Sequence, residues 1–155
     1  MLLITTAEER TWKKDEKIIF LGGWCKLYSR KHIWSKLNYK LVPYHWDDRD
    51  KYYEDYKYLS EVYERYLKVL SKTLNNIHGL NYSVRYWRIV IGPWLRFFID
   101  TIYDRYCSIK SAIEAGNVSS TLIMGFDIDE WIPKDYNQFY QTFTTDQWNH
   151  FIYGE

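Results

Sequence analysis

His45 and Asp47 stand two residues apart in the run YHWDD, at the close of an apolar stretch, and that spacing suits general base chemistry. A carboxylate beside an imidazole fixes its tautomer and raises its basicity. At a strand end the same two residues would serve equally as a turn and a helix cap. Arg85 and Arg88 are three apart, hence on one helical face if Ser83 starts a helix. Two guanidinium forks on one face can clamp a phosphate or carboxylate, or can form ion pairs with acids such as Asp100 and Asp104. FLGGWC, residues 20–25, places Trp24 and Cys25 directly after a glycine pair. The chain has neither G-x-G-x-x-G nor G-x-x-x-x-G-K-[ST], so this loop reads as a phosphate cradle or as a tight turn with close backbone approach.

The elements that must carry these residues alternate between strand and helix. Residues 17–22 form a continuous β-branched run bounded by glycine, the pattern of a fully buried strand. Residues 2–5, 39–44 and 120–125 are further strand candidates, the third weakened by Pro43. Residues 26–37 read as a short helix burying Leu27, Ile33, Trp34 and Leu37. From Asp48 to His78, Tyr52, Tyr56, Leu59, Tyr63, Tyr66, Leu70, Leu74 and Ile77 recur at helical spacing, with an Asp cap before and Gly79 after. Residues 83–114 form a second helical region, capped by Ser83 and broken at Gly92-Pro93, with Trp94, Phe98, Ile102, Tyr106, Ile109 and Ile113 as its stripe. The tail from Pro133 to Tyr153 reads as two short helices, the second capped by Thr145. This alternation predicts an α/β fold: a three-layer, Rossmann-like domain with a small, mainly parallel sheet and one long helix. Ligands of such sheets bind beyond the carboxyl ends of the strands. Gly22-Gly23-Trp24-Cys25, His45-Trp46-Asp47-Asp48 and Gly125-Phe126-Asp127 hold those places.

Composition limits the partners. The 155 residues carry 21 basic and 20 acidic side chains, so no bulk field draws nucleic acid. The 20% aromatic content, with 16 Tyr and 8 Trp, suits core packing, a wet interface or a stacking surface for sugars or bases. His32, His45, His78 and His150 are scattered and the two cysteines show no ligand spacing, so no metal is expected. No G-x-S-x-G supports a serine hydrolase. With no signal peptide and no apolar run of membrane-spanning length, the expected location is the cytoplasm.

FLGGWCKLYSRK, VPYHWDDR and above all NYSVRYWRIVIGPWL resemble blocks of one bacterial family, the LIC12162-type transferases of surface-carbohydrate (O-antigen) biosynthesis, and they occur in that family's order over nearly all 155 residues. The resemblance implies a cytoplasmic enzyme similar to GT-B-type glycosyltransferases, with this chain as its N-terminal, acceptor-side domain. A carbohydrate acceptor and a nucleotide-activated sugar donor would be its substrates, with no cofactor besides. Family members are longer, and in GT-B-type enzymes the donor binds mainly the C-terminal domain, so the chain alone is expected to be inactive. The family's glycine run reads LGEWC, and Gly23 stands where its acid would be.

The expected site takes His45 and Asp47 as the catalytic pair and Trp24, Arg85, Arg88 and Trp94 as substrate-binding residues, converging on one cleft. Peripheral association with the inner membrane, self-association and an exposed aromatic patch drawn from Trp131, Phe139, Trp148 and Phe151 are further expectations. The alternative is a non-enzymatic, aromatic-rich module that binds glycan or protein.

Overall fold

The computed structural model describes residues 1–13, 15–125 and 127–155. Phe126, one of the strand-end candidates, lies outside the described residues. Four strands, β1 (Leu2–Ile4), β2 (Ile18–Phe20), β3 (Tyr39–Leu41) and β4 (Ser120–Thr121), form one sheet in the order β3-β2-β1-β4. Every pairing is parallel, with Leu3 opposite both Ile19 and Thr121, and Ile19 opposite Lys40. Seven α-helices occur among the described residues: α1 (Lys31–Trp34), α2 (Arg49–His78), α3 (Val84–Val90), α4 (Gly92–Glu114), α5 (Ile128–Trp131), α6 (Tyr136–Thr142) and α7 (Asp146–Gly154). The fold is α/β, as the alternation predicts.

The chain divides into two compact units, one built from Met1–His45 and Arg105–Glu155, the other from Trp46–Asp104. The first contains the sheet. Each residue of β1 and β2 is buried, the mark of central strands covered on both faces, whereas β3 and β4 are the exposed edges. Cys25, Val42 and Ala112 complete the core around these strands. The chain passes from β1 through β2 to β3 in one direction and then returns to β4 on the other side of β1. The carboxyl ends of β1 and β4 are therefore the switch point of the sheet, where ligands of open α/β sheets bind.

The second unit holds α2, α3 and the first turns of α4. Asp48 caps α2 by accepting the N–H groups of Asp50 and Lys51, and Gly79 ends it at φ 63°, a conformation that favours glycine. Ser83 caps α3, and the helical path breaks at Ile91, between α3 and α4, as Gly92-Pro93 predicts. Gly92 lets Tyr63 come close: a Cβ there would lie 2.6 Å from the Tyr63 hydroxyl, which would have to move. Leu67, Trp87 and Leu95 form this unit's core, and Asn75 braces the connection to α3 by accepting from Tyr82 N–H and from the Trp87 indole while donating to the Tyr82 carbonyl.

Several boundaries and faces differ from the sequence reading. The run at 120–125 gives only a two-residue, exposed strand, because the Met124 N–H turns to the His150 imidazole instead of a strand neighbour. In the 26–37 segment only Lys31–Trp34 is α-helical, and Leu27 is exposed; its carbonyl accepts the Trp34 indole N–H. On α2 the buried line is Asp55, Leu59, Leu67 and Ser71, while Tyr52, Tyr56, Tyr66 and Ile77 are exposed. Tyrosine hydroxyls are at home in water, and Asp55 is buried because it accepts from Trp46, Lys51 and Tyr103. On α4, Phe98, Tyr106 and Ile113 are likewise exposed, and Leu95, Cys107, Ser108 and Ala112 are buried instead. The tail beyond Pro133 forms the two expected short helices, α6 and α7, with Thr145 capping the second, but Phe139, Trp148 and Phe151 are buried, not exposed: Phe139 stacks on Phe143 and meets Trp148 edge-on.

Candidate functional site

At the switch point, β1 runs on into Thr5 and Thr6, both buried, and helix α7 is fastened across the strand ends. Asp146 and His150 lie four residues apart, on one face of α7. Asp146 Oδ1 accepts the Ala7 N–H at 3.2 Å, just beyond β1. His150 Nε2 accepts the Met124 N–H at 3.1 Å, just beyond β4. That bond places the imidazole proton on Nδ1, which faces Thr5 Oγ1 at 3.5 Å. Burial, the largest influence, holds the His150 pKa below its ordinary value. Thr145 caps α7 by accepting the Trp148 N–H.

Trp24 follows β2 into the same region. Its indole N–H donates to the Thr5 carbonyl at 2.9 Å, and its ring meets Tyr44 edge-on. Gly22 lies directly against the indole; a Cβ there would be 2.1 Å from the ring. Gly23, by contrast, is exposed, and a Cβ there would meet nothing within 4 Å. Trp24, Arg105, Thr144, Asp146, Asn149 and Tyr153 line a cavity of about 170 Å3. Asn149 accepts from Arg105 Nε at 2.6 Å and is itself tied to the carbonyls of Phe143 and Thr145. Cys25, next to Trp24, donates its thiol to the Ile4 carbonyl, and burial pushes its pKa up to about 12. His45, at the end of this unit, is buried, with its ring 4.7 Å from that of Tyr44.

The other expected site residues belong to the second unit. Asp47 is exposed, in a short 3-10 turn with His45 (His45–Asp47) that links the two units in sequence. The Arg88 guanidinium grips Glu64 with two parallel bonds of 2.5 and 2.8 Å and lies over the Tyr63 ring. This contact lowers the Glu64 pKa. Arg85 is exposed and makes no ion pair among the described residues. Arg96 binds Asp100 and the Ser60 hydroxyl and covers Tyr56. Ser60, Tyr63, Glu64, Arg88, Gly92, Pro93 and Arg96 line an open groove of about 460 Å3. Trp94 packs on this unit's core and stacks with Phe98. Among the described residues, no group of three or more His, Cys, Asp and Glu side chains could hold a metal ion, and no helix is long and apolar enough to cross a membrane.

The family model for LIC12162 family transferases matches residues 1–155. The chain belongs to this transferase family. No match was found among curated proteins or solved structures.

The expected site residues of this family member are thus shared between its two units: Trp24 and His45 lie in the first, and Asp47, Arg85, Arg88 and Trp94 in the second. Within the second, Arg88 is joined to Glu64 rather than forming a fork with Arg85. Thr5, Arg105, Asp146, Asn149 and His150 escaped the sequence reading. The end of β1 was a readable signal, since every parallel strand has a carboxyl end. The others come from chain-distant helices and carry no local motif.

Proposed function

We propose that the chain is the acceptor-side, Rossmann-like domain of a GT-B-type sugar transferase in bacterial surface-polysaccharide assembly. The observation that carries this reading is a cavity walled by Trp24 and edged by Arg105, Asp146 and Asn149 at the switch point of a parallel sheet, in a member of a transferase family. In the reaction, a hydroxyl of the carbohydrate acceptor attacks the anomeric carbon of a nucleotide-activated sugar. A new glycosidic bond forms, the bond to the diphosphate breaks, and the hydroxyl proton passes to a base. His45 is the base of this scheme and Asp47 its orienting carboxylate. Arg85 and Arg88 hold an anionic group of a substrate, Arg88 exchanging Glu64 for it, and Trp24 and Trp94 offer aromatic faces to sugar. Cationic side chains offset the leaving-group charge. The donor binds mainly a further domain, so the chain alone is slow or inactive. The work is done in the cytoplasm, at the inner face of the membrane that carries the growing glycan.

The complete enzyme, incubated with nucleotide sugars and isolated surface-glycan precursors, should release nucleoside diphosphate and add one sugar, read by mass spectrometry. His45→Ala should reduce the rate at least a hundredfold, the lower range for a general base. Glycan binding without release of nucleoside diphosphate from any donor would replace this reading with a binding module, which the exposed Tyr52, Tyr53, Tyr56, Tyr58 and Tyr66 of α2 also favour.

A further inference from the structure

Building on the transferase reading, we propose that the cavity at the ends of β1 and β4 is a subsite for one neutral pyranose ring, with Trp24 as its apolar wall and Arg105 and Asp146 as its hydroxyl-binding pair. All of its lining belongs to the first unit.

Three features select a sugar ring. The first is the wall. The Trp24 N–H is already bound to the Thr5 carbonyl, so the indole has only its π surface to offer a ligand. The C–H face of a pyranose lies on such a surface without asking for a hydrogen bond. The ring is also fixed in place, by its bond to Thr5 and by close contact with the backbone of Gly22.

The second is the polar pair. Asn149 accepts from Arg105 Nε and the Phe143 carbonyl from Nη2, which fixes the guanidinium, and Asn149 is locked in turn by two backbone carbonyls. The Asp146 carboxylate is held through Oδ1 by Ala7, which leaves Oδ2 as an acceptor. Sugar hydroxyls both donate and accept, so a fixed guanidinium, whose five N–H groups outnumber the protein acceptors at Nε and Nη2, beside a fixed carboxylate matches them.

The third is size and charge. At about 170 Å3 the cavity falls below the roughly 300–1,000 Å3 of pockets that take drug-sized ligands, so a nucleoside diphosphate does not fit. The Arg105 guanidinium and the Asp146 carboxylate offset each other in the lining, so no net positive charge draws a phosphate in. The ligand is therefore a sugar ring without its nucleotide, which makes this the place of an acceptor residue.

Full-length protein is titrated with methyl glucoside, galactoside, mannoside and N-acetylglucosaminide, and separately with uridine diphosphate, by saturation-transfer NMR and tryptophan fluorescence. At least one glycoside should bind with a Kd on the order of 1–10 mM. Asp146→Asn, which retains an acceptor for Ala7, and Arg105→Gln should each weaken it about tenfold, the value of one good hydrogen bond. Trp24→Leu should abolish it and Trp24→Phe should weaken it less. Thermal melts establish which variants are folded; if Arg105→Gln is not, the near-isosteric Asp146→Asn decides. No glycoside bound at about 100 mM, unchanged affinity in a folded variant, or displacement of the glycoside by uridine diphosphate would each overturn the subsite. The transferase reading fails separately. Variant-sensitive glycoside binding with no nucleoside diphosphate released by the complete enzyme keeps the subsite and removes the transferase. Transfer with an unchanged acceptor KM in the folded variants does the reverse.

Discussion

Asp146 and His150, one turn apart on α7, take the backbone N–H groups of Ala7 and Met124, which lie just past β1 and β4. A single helix face thus closes two strand ends that are far apart in sequence. The His150 bond requires an unprotonated Nε2.

Stability should accordingly fall on mild acidification. The folded-state pKa of His150 lies below its ordinary value of 6.5, so the unfolded chain binds the proton more tightly. The contribution of His150 is complete above pH 6.5 and is lost as pH drops from there through the folded pKa. Glu8, Arg10 and Asp146 are the charged groups that influence it, and Glu8, held down to about 2 by Arg10, stays ionised across that window. Thermal melts between pH 7.5 and 5 should show a falling Tm, and His150→Gln should be less stable at pH 7.5 with a flatter profile. A wild-type Tm that holds constant to pH 5 refutes the assignment.

Gly22→Ala tests the platform under Trp24. A methyl group 2.1 Å from the indole must push it aside and break its bond to Thr5. Overpacking of this kind costs about 1–3 kcal/mol. Chemical denaturation should show that loss, together with a shifted tryptophan emission.

Gly23→Glu should have the opposite outcome. The position is exposed and open, so an acidic side chain fits without strain. Stability should stay within about 0.5 kcal/mol of wild type. In the complete enzyme, a faster transfer rate would show that this acid takes part in the reaction.

Strands β1 and β2 were legible because a continuous apolar run has no other home than a doubly covered sheet, and the break at Gly92-Pro93 was legible because proline lacks the N–H a helix needs. The buried face of α2 was not. Tyr52, Tyr56 and Tyr66 satisfy a helical stripe on paper but keep their hydroxyls in water, whereas Asp55 reads as a surface residue and is buried by the three donors gathered on it. Around the candidate site, Trp24 was visible as a residue following a strand. Arg105, Asp146 and His150 were hidden, because their meaning comes from helices more than 100 residues away from β1 in the chain.

Asp55 supplies another test. Replacing it with Ala removes the acceptor shared by Trp46, Lys51 and Tyr103, and should destabilise the protein by about 3 kcal/mol. Asp55→Asn, which retains one acceptor oxygen, should cost less. Equal stability of the Ala variant in urea would show that the three donors find water instead.

The Arg88–Glu64 pair separates stability from function. Both side chains are substantially exposed, so Glu64→Gln should change stability by less than about 1 kcal/mol. If Arg88 serves a substrate anion, releasing it from Glu64 should lower the KM of the complete enzyme, while Arg88→Lys should raise it through loss of the bidentate fork. Unchanged KM in both would make the pair purely structural.

The pairing of β1 with β4, Leu2 opposite Ser120, also dictates an order of assembly. The unit Trp46–Asp104 is one continuous stretch of mostly helical chain, whose contacts are local and quick to form. The sheet-bearing unit must instead wait for its last strand and for α7, so on the ribosome β1 and β2 emerge long before the partners that cover them. Two of the most apolar segments of the chain then depend on the interval of synthesis between Phe20 and Ser120, at about 5–20 residues per second, without their final neighbours. Chaperone demand and aggregation during expression should therefore track the N-terminal strands.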